Sequence, residues 1–107
     1  MDEVIEKVKM FWLLNERELE KLHYKKAVIT PLVGDIYLIE FIPMTEKDPW
    51  VIISKDDDGT YELFENMEGD VIGSLNQRVY GLYKNLGNAL SSVLKGNSLT
   101  NRSYAYR

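Results

Sequence analysis

A change of period at Tyr24 constrains the fold of this chain more than any other feature. Before it, Val4, Val8, Phe11, Trp12, Leu19 and Leu22 recur on one face at helical spacing, with Glu3, Glu6, Lys7 and Lys9 opposite. That is the pattern of an amphipathic helix lying on a core. Asn15 with Glu18 three residues later has the spacing of a helix cap, so one long helix over the first ~20 residues is expected to kink there.

After Tyr24, β-branched and aromatic runs follow one another: Ala27 to Val33, Ile36 to Ile42, Trp50 to Ser54 and Thr60 to Glu65. Each is bounded by Gly, Pro or Asp, as strands are. Gly34-Asp35 predicts a tight turn, Pro43 to Pro49 a longer loop, and Asp58-Gly59 a hairpin, because both residues accept positive φ. Four strands so joined predict an antiparallel meander. Ile36 to Ile42 is apolar on both faces except for Glu40 and reads as a central strand. Thr60 to Glu65 carries acids among its aromatics and reads as an edge. Met67 to Gly73 has room for a short fifth strand.

Ser74 then caps a second helix, whose stripe is Leu75, Val79, Leu82, Tyr83, Leu86, Leu90 and Val93 and whose stop is Gly96. On that helix Tyr83 faces inward and Tyr80 a flank. Gly81 and Gly87 weaken it by up to ~1 kcal/mol each relative to alanine, which points to close backbone approach to the sheet. Asn97 to Arg107 has no apolar period and reads as a flexible basic and aromatic tail. The expected architecture is α+β: an N-terminal helix, a four-stranded (with Met67 to Gly73, five-stranded) antiparallel β-meander and a C-terminal helix, with both helices on one face. Residues 1–96 form a single domain and 97–107 the tail. The other sheet face then meets water or a partner, which makes a homodimer or a covering complex one expectation.

Chemistry is limited by what the composition lacks. Among 107 residues there is no cysteine and one histidine, His23. Disulfides, thiolate nucleophiles and thiolate zinc sites are thereby excluded, in keeping with a reducing compartment. The acids and lysines from Met1 to Lys9 leave no apolar stretch for a signal peptide, and no run approaches the ~20 apolar residues of a membrane span. A cytoplasmic protein without membrane attachment is expected. His23 sits between helix and strand beside Tyr24, Lys25 and Lys26, where a surface histidine is the simplest reading, and no G-x-S-x-G elbow accompanies it. Phosphate-binding glycine loops are absent. Glu62 and Asp70 have the chemistry of a carboxylate pair, but seventeen acids make such coincidences common. Ser54, Asp56, Asp58, Gly59, Glu62 and Glu65 match parts of a calcium-loop spacing, yet they lie between strand-like runs where a calcium loop needs helices. No catalytic residues, no metal and no cofactor are predicted; the expectation is a protein that is not an enzyme.

Charge is segregated along the chain. Residues 35–70 hold eleven acids against Lys47 and Lys55, while residues 71–107 hold five bases and no acid, in a protein of net charge −4. Hairpin turns need polar residues for geometry and solubility, and the same acids form a field that selects a basic partner by sign. The leading expectation is a small acidic protein-binding module, such as a phage or bacterial inhibitor or accessory protein, that engages a basic surface through Asp56, Asp57, Asp58, Glu62 and Glu65 with Trp50 beside them. Trp12, on the apolar helix face, is expected in the core, and Trp50, after Pro49, half exposed. Two alternatives remain: a nucleic-acid-associated regulator using Arg78, Lys84, Arg102 and Tyr104 of the basic C-terminal helix and tail, and an immunity protein or secretion chaperone using the uncovered sheet face.

Overall fold

The structure, a computed structural model, describes residues 2–66 and 78–95. Helix α1 (Asp2–Lys21) is followed by strands β1 (Tyr24–Pro31), β2 (Tyr37–Pro43), β3 (Trp50–Lys55), β4 (Tyr61–Asn66) and β5 (Arg78–Tyr83), and by helix α2 (Leu86–Val93). The five strands form one antiparallel sheet in sequence order. The first three connections are far shorter than the dozen or more residues a parallel crossover requires, so neighbours in sequence become neighbours in the sheet.

Helix α1 kinks where expected. Asn15 leaves helical geometry (φ −122°, ψ 17°), and its side-chain Nδ2 donates to the Phe11 carbonyl at 2.9 Å. The amide therefore satisfies the last turn of the first segment rather than accepting from the second. The helix ends as His23 takes a left-handed φ of 69° and donates its N–H to the Glu20 carbonyl, a conformation common just past a helix terminus.

Both helices lie on one sheet face. Val8 and Leu19 of α1 and Leu86, Ala89, Leu90 and Val93 of α2 are buried against Tyr37, Ile39, Phe41, Val51, Ile53 and Leu63. Val4, Phe11, Trp12 and Leu22 pack on the same cluster, so the whole expected α1 stripe faces the sheet. Phe41 is its centre: Phe11 meets it edge-on at 6.1 Å, Trp12 stacks at 6.4 Å and Tyr24 approaches at 5.8 Å.

Three expectations need correction. The segment read as the first half of a long C-terminal helix is strand β5, and only Leu86–Val93 is helical. Alternation interrupted by one extra residue explains it: Gly81 lies opposite Leu63 and Tyr83 opposite Tyr61 on the helix-bearing face, while a bulge between Val79 and Gly81 puts Val79, opposite Phe64, and Leu82, opposite Glu62, on the other face. The helical stripe and this alternation share residues, and pairing with β4 decides between them. Asn85 caps the short helix, its Oδ1 accepting the Asn88 N–H at 2.8 Å. Gly81 leaves little room beside Tyr83, since a Cβ there would lie 3.0 Å from the Tyr83 hydroxyl and the ring would have to shift by a few tenths of an ångström, whereas Gly87 would make only ordinary contact. Second, β4 is not an edge, because β5 pairs with it; the edges are β1 and β5. Third, the face opposite the helices is not bare. Leu38, Ile52 and Phe64 are buried there as a second cluster with half-buried Trp50 against it, and the exposed apolar residues are Val79 and Leu82 towards β5. The acid on central strand β2 is answered by a neighbour: Thr30 Oγ1 donates to Glu40 Oε1 at 2.8 Å. The expected fifth strand at Met67 to Gly73, the cap at Ser74, the stop at Gly96 and the tail 97–107 lie outside the described residues.

Candidate functional site

The meander brings the β1–β2 turn and the β3–β4 turn to the same end of the sheet, two strand spacings or about 10 Å apart. In the first turn Leu32 N–H donates to the Ile36 carbonyl and Ile36 N–H to the Val33 carbonyl, each at 2.9 Å, around Gly34 at φ +57°. In the second, Asp56 N–H donates to the Thr60 carbonyl at 2.9 Å and Gly59 N–H to the Asp56 carbonyl at 3.1 Å. Asp58 Oδ1 accepts both the Thr60 hydroxyl (2.7 Å) and the Thr60 N–H (3.0 Å). The hydroxyl bond, then the backbone one, holds the Asp58 carboxyl below its ordinary range, because both stabilise the anion. Lys55 links the turns, its Nζ donating to the Asp35 carbonyl at 3.1 Å while lying 5.9 Å from the centre of the Tyr37 ring.

Gly59 sits at φ +88° with nothing within 4 Å of where a Cβ would be. Replacing it by alanine therefore costs backbone strain alone, about 1 kcal/mol. The expected result for Gly59→Ala is an unfolding free energy lowered by that amount, seen as a lower urea midpoint with an unchanged denaturant slope.

The residues named from sequence do not form one patch. Asp56, Asp57 and Asp58 are together in the turn. Glu62 follows on β4 but points to the face opposite the helices, where burial, with Asp56 adding, raises its carboxyl above the usual range. Glu65 lies opposite Val51, on the helix-bearing face. There, after burial, its charge is the next cause of the raised Tyr24 phenol. Trp50 is opposite Asn66 at the far end of β3, about 17 Å along the strand from Lys55. The acidic patch is therefore the turn end: Asp56, Asp57, Asp58 and, from the neighbouring turn, Asp35.

Leu32 and Val33 were missed by the charge argument. They stand exposed at the first turn, 56% and 72% accessible. The signal was an apolar pair placed directly before a turn glycine, where polar residues are usual. A second feature also went unseen. A groove of about 600 Å³ runs between α1 and β1, lined by Ile5, Val8, Trp12, Ala27 and Ile29 among others, with Lys9, Lys25 and Lys26 at its sides.

Of the proposed nucleic-acid residues, the two that are described do not share an element. Arg78 opens β5, Lys84 is exposed between β5 and α2, and Arg102 and Tyr104 lie outside the described residues. Among the described residues, helix α2 carries none of them. His23 is exposed, Asp70 is outside the described residues, and among the described residues no three of His, Cys, Asp or Glu are grouped to hold a metal ion. Among them, too, no helix is long and apolar enough to cross a membrane.

No family model, curated protein or solved structure matches this chain.

Proposed function

We propose that this protein is a non-enzymatic binding module that engages a basic protein surface with the turn end of its sheet. The observation that carries this reading is the exposed Leu32-Val33 pair beside the aspartates of the adjoining turn, with Lys55 tying the two turns together. Acids alone would serve solubility. An apolar pair at a tip does not, and apolar anchors within a charged rim are how compact interfaces combine affinity with choice of partner. The backbone hydrogen bonds within both turns hold this end in one conformation, so little ordering entropy remains to be lost on binding. The partner's surface is Lys- or Arg-rich around an apolar depression, as for an inhibitor or accessory factor that covers a basic site.

Asp57 and Asp35 are the positions to reverse, because Asp58 and Asp56 shape their own turn. With the whole chain as bait in cell extract, proteins recovered by the parent should be lost with Asp35→Lys plus Asp57→Lys and with Val33→Ser. Their recovery should also fall as salt is raised. Recovery that is unchanged in both variants, with the fold intact by circular dichroism, would sink the reading.

A further inference from the structure

We propose that the groove between α1 and β1 is a second docking site, independent of the turn end, and that its occupant is an acidic amphipathic helical segment of another protein.

The floor and walls are apolar: Val8 and Trp12 from α1 meet Ala27 and Ile29 from β1. The groove's apolar surface does not stop at its rim. Leu13 lines it while remaining 69% exposed, Met10 three residues before is its neighbour on the helix surface, and Leu14 in turn neighbours Met10, both exposed as well. Together they make a row along α1 continuous with the groove. A small-molecule site encloses most of its ligand. This trough continues onto an open helix face, the form in which an amphipathic helix is usually taken up.

Charge selects the kind of helix. Lys9 from one side and Lys25 and Lys26 from the other are all exposed, and none is in a salt bridge among the described residues. A partner with carboxylates flanking its apolar row meets Lys9 and Lys25 at the rim, with Lys26, opposite Ile42 on the other sheet face, adding at longer range, while a basic helix meets repulsion from both sides. The chain's own residues 71–107, with five bases and no acid, have the wrong sign. A symmetric second copy would set lysines against lysines.

Selection of a displayed random-peptide library on the whole chain tests this. Enriched peptides should carry Asp or Glu on either side of an apolar row with helical spacing. Their Kd should weaken by about tenfold or more for the variant Lys9→Glu, Lys25→Glu, Lys26→Glu, since each exposed pair contributes a factor of about two to five. They should shift the amide resonances of Ala27 and Ile29, and change Trp12 emission in a Trp50→Phe background. Reversal of Asp35 and Asp57 should leave their binding unaltered, which separates this site from the turn end. The lysines are exposed, so the triple variant is expected to keep the parent's amide spectrum away from the groove. A library that yields no binders, binders that are basic or uncharged, or equal affinity for the triple variant would each overturn the proposal. So would concentration-dependent self-association that shifts the same amides, which assigns the groove to a second copy, or their displacement by a fatty acid where no peptide binds.

Discussion

Replacing Phe41 by alanine is expected to remove about 3–5 kcal/mol of stability, the range for truncating a fully buried aromatic side chain. Phe41 is wholly inaccessible to water and receives the rings of Phe11, Trp12 and Tyr24 from two different elements. No other ring in the described core has as many aromatic contacts. The cavity would open beneath α1, and a helix that rests on the sheet through this cluster cannot close it without losing its other contacts. For a domain of ordinary total stability, about 5–15 kcal/mol, that is about a fifth or more of the whole. Urea denaturation followed by far-ultraviolet circular dichroism measures it, and Tm should fall by about 12 °C or more. A loss under about 1 kcal/mol would mean that Phe41 does not hold α1 to the sheet.

The second large effect is a loss of stability in alkali. Burial, then the charges of Glu65 and Asp48, hold the Tyr24 phenol well above its ordinary value of 10.0. Tyr37 is raised likewise, by burial and by its 3.3 Å hydrogen bond to Tyr61. Above pH 10 the unfolded chain releases these protons while the folded one retains them. The unfolded state then binds fewer protons, so stability falls as pH rises. It is fully present below pH 10 and declines from there upward, by up to about 1.4 kcal/mol per pH unit for each tyrosine concerned. Urea midpoints taken from pH 9 upward should show this decline, and Tyr24→Phe should reduce its slope by the share of one group. Phenolate absorbance should show these rings ionising together with unfolding. Midpoints independent of pH across that window would contradict the burial of the Tyr24 hydroxyl.

Legibility from sequence followed the strength of local signals. Turn residues located β1 to β4 to within a few positions, because Gly34 and Gly59 do take the positive φ for which such residues are suited, and the α1 stripe was read in full. The second helix was overread because Val79, Leu82 and Tyr83 satisfy a helical period, and the extra residue between Val79 and Gly81, which sets Val79 and Leu82 on one face of β5, breaks the strict alternation that would mark a strand. Only the presence of β4 as a neighbour decides, and that is a tertiary fact. The acidic segment was visible as composition, yet alternation along β4 sends Glu62 and Glu65 to opposite faces. Lys9 and the Lys25-Lys26 pair are distant in sequence and meet only because α1 packs on β1, so no motif could have joined them.

Because every ladder of the sheet joins strands that follow one another in the chain, assembly needs no long loop to close before the first pairing forms. The β1–β2 hairpin can form from its own residues, β3 and β4 extend it by short closures, and β5 joins across the longer span of residues 67–77. This arrangement favours zipper-like folding from one edge to the other, fast for a sheet of five strands. It also ranks the elements by their exposure to failure. β5 and α2 come last and rest on everything before them, so hydrogen exchange should report the least protection there and the most in β2 and β3.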